Sequence, residues 1–244
     1  LLMFSRNIGL VAAVLYATSP LVVVNSRMAY HTSPIPLFTL LFIWSVFKWI
    51  KGIPIYFPLA IFFLGILYNF ELATSVLWLV LGLVLGYGLL RKKFWARQIL
   101  TRKIITLSVV GLLVSMTPVI IYDFQNGFPQ TIKFAAWVGY KVLGALGIIN
   151  SGAYFGDKYF EMISFFANQY KFLIFFQNGF VAFVILALTI GWLVKSVSKN
   201  NKDKKVETGK IKLLLWILIP LLAFFVNKTA SDAYMPLLYP AIIL

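Results

Sequence analysis

No cysteine occurs among the 244 residues, so neither a disulfide nor a thiolate metal site can organise this chain. Histidine occurs once, at position 31, too few for a HExxH zinc helix. There is no GxxxxGK[ST] phosphate loop and no GxSxG elbow, so nucleotide hydrolysis and zinc chemistry are not expected. Charge is scarce too: 12% of residues are charged, against roughly 25% in soluble domains. Acid is scarcest, with seven Asp and Glu that form no compact cluster at metal-ligand spacing. No metal-ligating residues and no cofactor are read from the sequence, and metal dependence is left open by it.

What the sequence does hold is apolar surface, at 61% hydrophobic and 17% aromatic residues. Runs such as "LATSVLWLVLGLVLGYGLL" (72–90) are apolar on every face and approach the roughly 17–25 residues of a membrane-crossing helix. A β-barrel would alternate apolar and polar over about ten residues and is set aside. The expectation is an all-α polytopic transmembrane bundle of about eight spans in a single domain, 1–244. The spans fall near 8–24, 35–50, 55–70, 72–90, 104–121, 172–194, 211–227 and from 234 onward. "LLMFSRNIGL" enters apolar sequence without an initiator methionine or the n-region of a signal peptide, so the chain reads as a fragment.

The formal charge of +15 would suggest nucleic acid in a soluble protein, but its placement argues otherwise. "RKKFWARQILTRK" (91–103) and "KSVSKNNKDKKVETGKIK" (195–212) each lie between apolar runs, where basic residues mark cytoplasmic loops beside anionic lipid. Threading the spans from these loops puts Arg6, Lys48 and Lys51 on the same side. Glu71, Asp123, Asp157, Glu161 and Asp232 fall on the other, and only Asp203 and Glu207 share the cytoplasmic lysine cluster. The long outer loop, 122–171, carries helical periodicity. Phe160, Ile163, Ala167 and Tyr170 form a stripe beside Asp157, Glu161, Ser164, Asn168 and Lys171, and a weaker stripe joins Ile132, Ala135, Ala136, Val142 and Leu146. Both suggest helices at the membrane interface, covering a site or merely packing around the bundle.

Ionisable groups at the outer helix ends are the candidates for chemistry, because a charge persists in lipid mainly beside water, a partner or a substrate. In "NSRMAYHTSPIP" (25–36), Arg27 offers a planar fork of donors suited to phosphate, or anchors a helix end by snorkelling. Tyr30 and His31 stand with it, His31 either orienting a phosphate or sugar hydroxyl or simply hydrogen-bonded at the interface. Glu71, in "LYNFELATS", is either an acid, base or sugar-hydroxyl acceptor or the cap of the next helix. Asp123, with Asn126 and Gln130 in "DFQNGFPQT", either binds a sugar or shapes the turn. Asp232 reads most simply as an N-cap.

These stretches resemble a known family. "GLVAAVLYATSPLVVVNSRMAYHTSPIPLFTLLFIWS", "PVIIYDFQNGFPQT" and "AYMPLLYPAIIL" are similar to segments of the polyprenyl-phosphate-sugar glycosyltransferases related to protein mannosyltransferases and aminoarabinose lipid A transferases. The resemblance implies a GT-C fold in a bacterial or archaeal cell membrane and a role in cell-envelope glycosylation. It further implies a polyprenyl-phosphate-linked sugar as donor and a lipid, glycan or protein as acceptor. The family's catalytic acid would lie upstream of residue 1. Arg27 with His31 is then the candidate for the phosphate, and Glu71 and Asp123 for sugar hydroxyls or the acceptor. A transporter or flippase of lipid-linked glycans and a noncatalytic membrane scaffold are the competing readings. A transporter would carry midplane charges or repeated halves, whereas here the ionisable groups sit at helix ends.

Overall fold

The structure, a computed structural model, describes residues 6–28, 30–145, 155–174, 178–198, 216–222, 224 and 232–243. Among them all regular structure is helical. In chain order the helices are α1 (Arg6–Thr18), α2 (Pro20–Arg27), α3 (Ile35–Ile50), α4 (Tyr56–Phe70), α5 (Val76–Leu90), the single turn α6 (Phe94–Arg97), α7 (Arg102–Asn126), α8 (Pro129–Ala145), α9 (Phe155–Ile174), α10 (Gly179–Ser198) and α11 (Tyr239–Ile243). Short 3-10 turns cover Leu72–Ser75, Gln98–Leu100 and Asp232–Leu237. The lysine cluster at 199–212 and most of the span expected at 211–227 lie outside the described residues.

The first expected span is two helices meeting at 62°. Pro20 causes the break: its ring disfavours helical geometry in the preceding residue, and Ser19 is extended at φ −61°, ψ 123°. The bend is tied down, since Ser19 Oγ donates a 2.7 Å hydrogen bond to the Leu173 carbonyl of α9.

α4 lies at the centre, packed against α3 on one side and α7 on the other. The α4–α7 crossing is close because both helices present small residues. A Cβ on Gly65 would fall on the Ser115 hydroxyl, and one on Gly111 would come within 3.4 Å of the Pro58 carbonyl oxygen. Close backbone approach of this kind is how helices associate in lipid, where burial of apolar surface supplies little drive. Asn69 fastens the crossing, its Nδ2 donating to Gly65 O on its own helix at 2.6 Å and to Ser115 O on α7 at 2.9 Å. The apolar core continues through Phe42, Trp49, Leu64, Leu67 and Leu77 to Met235, Leu237 and Leu238. This last segment is not the continuous span expected from 234: Pro236 and Pro240 interrupt the amide ladder, and a buried 3-10 turn and short helix result.

Leu72–Leu90 and α7 are long and apolar enough to cross a membrane singly, and up to four crossings result if each of two bent pairs, α1 with α2 and α9 with α10, counts as one. α3 and α4 are shorter than the expected spans require, about 24 and 22 Å at 1.5 Å per residue against a core of about 30 Å. The outward faces are apolar. In the most apolar window of α7 only 11% of residues are buried, and Val109, Leu113 and Val114 point away from the protein. Such a surface is consistent with an integral membrane protein.

α9 is helical over the expected stripe and carries a further apolar face. The stripe read from the sequence includes Phe160 and Ile163, which are exposed, while a second apolar face with Met162 and Leu173 is buried and Phe166 stacks on Phe224. Two apolar faces make α9 a core element with an outward greasy edge.

Candidate functional site

The stretch 25–36 closes on itself. Arg27 occupies the last turn of α2, where a cation suits the negative end of the helix dipole. The Ser33 hydroxyl donates to the carbonyls of Asn25 at 2.8 Å and Met28 at 2.9 Å, satisfying groups the helix end leaves without amide partners. Pro34 and Pro36 then start α3. This fold-back presents Tyr30 and His31 outward with ring centroids 4.2 Å apart.

His31 reaches across to the end of α4, where its Nε2 lies 3.2 Å from Glu71 Oε2. The contact is an ion pair when the imidazole is protonated; a neutral imidazole makes it only as the tautomer whose Nε2–H donates to the carboxylate. Glu71 does not cap the following 3-10 turn with its side chain. Its backbone carbonyl accepts from the Thr74 amide at 3.0 Å and the Thr74 hydroxyl at 2.8 Å, which leaves the carboxylate to His31.

Glu71 also lines a cleft of about 590 Å³ between the ends of α4, α7 and α8. Tyr68, Asn69, Phe70 and Leu72 stand beside it, α7 contributes Pro118, Val119 and Tyr122, and α8 contributes Gln130, Lys133, Phe134 and Trp137. Aromatic contacts knit the walls: Tyr68 meets Phe134 edge-on at 6.2 Å, and Phe134 stacks near Trp137 at 6.3 Å. A concave, mainly apolar surface with a carboxylate, an ammonium and an amide on it is the usual form of a small-ligand site.

Asp123 and Asn126 belong elsewhere. α7 runs five residues beyond the expected end at 121 and stops at Gly127, whose φ of +77° is the left-handed conformation glycine adopts freely. Asp123 is therefore in the last helical turn, 3% exposed, and its carboxylate accepts from the Gln130 amide at 2.8 Å, the Thr131 amide at 2.9 Å and the Thr131 hydroxyl at 2.6 Å. It caps α8 from the preceding helix and does not line the cleft. The turn-shaping alternative thus describes Asp123. Asn126 bonds the Tyr122 carbonyl one turn back at 2.7 Å.

The structure accordingly gathers Tyr30, His31 and Glu71, leaves Arg27 exposed and without an ion-pair partner among the described residues, and does not bring Asp123 or Asn126 into the cleft lining, though Asp123 holds the backbone of Gln130 beside it. The sequence reading missed Tyr68, Lys133, Phe134 and Trp137. A signal existed, because 130, 133, 134 and 137 share one helical face, but it is a mixed face and a search for an apolar stripe passes over it. No group of three or more His, Asp or Glu suited to a metal ion occurs among the described residues. The side chains of Asp157 and Asp232 lie outside the described residues. Comparison with protein families, with curated proteins and with solved structures finds no match to this chain.

Proposed function

We propose that this protein is an integral membrane glycosyltransferase of GT-C-like architecture. It takes a sugar from a polyprenyl-phosphate donor and passes it to a lipid, glycan or protein acceptor at the outer face. The observation that carries this reading is the cleft in which Glu71, held by His31, faces the Gln130, Lys133 and Trp137 side of α8. Its position supports the reading: Glu71 precedes the candidate crossing segment Leu72–Leu90, Tyr122 lies little more than a turn before the end of α7 at Asn126, and the other ends of both segments meet at the basic turn 91–103. With 91–103 and 195–212 cytoplasmic, the cleft and the loop 122–171 open outward. In the proposed arrangement, α3 and α4 also cross, through a locally thinned bilayer.

The chemistry follows from the groups present. Aromatic walls offer apolar faces to a sugar ring, and Glu71 accepts hydrogen bonds from sugar hydroxyls or from the acceptor. Lys133 and Arg27 offset the negative charge that grows on the phosphate oxygen as the glycosidic bond breaks. The test is a transfer assay with full-length protein in vesicles and radiolabelled polyprenyl-phosphate sugar. Glu71→Gln is expected to lower transfer at least about tenfold, the scale of one hydrogen bond to a charged group. Movement of the labelled lipid between leaflets with its sugar intact would instead make the protein a transporter and end the proposal.

A further inference from the structure

The turn between the two single-helix crossings is the most strongly charged described surface of the molecule. Residues 91–103 contain six cations, Arg91, Lys92, Lys93, Arg97, Arg102 and Lys103, and no acid. All six are exposed, and none has an ion-pair partner among the described residues.

A solvated basic loop would be featureless, and this one is packed. Trp95 meets Trp49 edge-on at 4.8 Å, and its carbonyl accepts the Trp49 indole N–H at 3.0 Å. Ala96, Ile99 and Ile104 are buried, and Ala96 and the Trp95 ring lie so close to Gly88 that a Cβ there has no room. Lys92 holds a left-handed φ of 50° that turns the chain out of α5. The cations therefore stand on a fixed platform. Between them the platform exposes Leu90 at 85%, Phe94 at 73% and Leu100 at 67%.

We infer that this platform is a docking surface for the anionic phospholipid headgroups of the membrane the chain crosses. Leu72–Leu90 and α7, each long and apolar enough to cross a membrane singly, flank it directly, so their crossing puts it at headgroup level. Cations interleaved with exposed apolar side chains fit that layer: Lys and Arg meet phosphate, and Phe94 and Leu100 enter the acyl boundary. A nucleic acid would meet the charge and leave the apolar groups in water.

The 244 residues hold no cysteine, so this chain takes a thiol label only at an introduced position. The 244-residue chain with Phe94→Cys, carrying an environment-sensitive fluorophore, is reconstituted into vesicles of phosphatidylcholine alone and of phosphatidylcholine with phosphatidylglycerol. The expected result is a blue shift and loss of aqueous quenching in the anionic vesicles only. It should be reversed by high salt, which shortens the screening length to about 3 Å at 1 M. Lys92→Gln and Lys93→Gln together should weaken the preference for anionic lipid on the order of fivefold per cation removed. A label at Leu100→Cys repeats the measurement should Phe94→Cys fail to fold. Equal signals in the two vesicle types, or the same shift when RNA is added to protein in phosphatidylcholine, would overturn the inference.

Discussion

The two walls of the cleft are built on different principles. The α4 and α7 wall rests on backbone contact: glycine and serine bring the helices together, and Asn69 bridges them. The α8 wall hangs from a corner in which Gly127 and Phe128 both have positive φ, and the Asp123 carboxylate is the main fastening. Ile132, Phe134, Trp137 and Tyr140 of α8 stay partly exposed, and the Tyr68–Phe134 edge contact joins this wall to α4. A wall fixed by packing keeps Tyr68 and Glu71 in place, and a wall fixed by a cap can adjust to what enters. Under the proposed function, the capped wall is the one that yields when a ligand enters.

The comparison can be broken most forcefully at the crossing. Gly65→Ala sets a Cβ on the Ser115 hydroxyl and 2.8 Å from Ser115 Cβ, and overpacking of this kind costs about 1–3 kcal/mol. Thermal unfolding in detergent should show the loss, and Ser115→Gly in the same chain should restore much of it. A Gly65→Ala protein that melts with wild type would mean the helices do not touch there. Asp123→Ala comes next. It removes the cap from the Gln130 and Thr131 amides, worth about 1–2 kcal/mol, but the effect should stay local. Hydrogen exchange is expected to quicken in α8 while the α4–α7 crossing keeps its protection. Uniform loss across both walls would erase the distinction between them.

Local pattern explains how much of this was legible. The runs at 35–50, 55–70 and 72–90 coincide closely with α3, α4 and Leu72–Leu90, because Pro, Gly and charged residues bound each one. Ser19-Pro20 was equally readable as a break, but apolar residues on both sides hid it within one run. Asp123 shows the harder limit. Its residue type and the Gly-Phe-Pro turn announce a cap, yet which amides it serves depends on how α8 folds back. The cleft was illegible for the same reason, since its residues meet through the packing of α4 against α7 and the position of α8. Glu71 was recognisable as an acid in a tight turn, and only the backbone geometry shows its carbonyl, not its carboxylate, serving Thr74.

Smaller effects on stability separate function from folding at the cleft's rim. The His31–Glu71 pair is half exposed on the histidine side, and such pairs contribute about 0–1 kcal/mol. Glu71→Gln should therefore melt near wild type even as transfer falls, and a large stability loss would recast the carboxylate as structural. Arg27 is the mildest case. Exposed and without an ion-pair partner among the described residues, it should tolerate Arg27→Ala within about 0.5 kcal/mol, as surface positions do. If its guanidinium receives the donor phosphate, the KM for the lipid-linked sugar rises and kcat changes less, because the phosphate is held before and during transfer alike. Arg27→Lys should then recover only part of the affinity, since an ammonium keeps the charge and loses the bidentate fork. A KM unchanged in Arg27→Ala would leave the side chain as an anchor at the dipole-favoured end of α2.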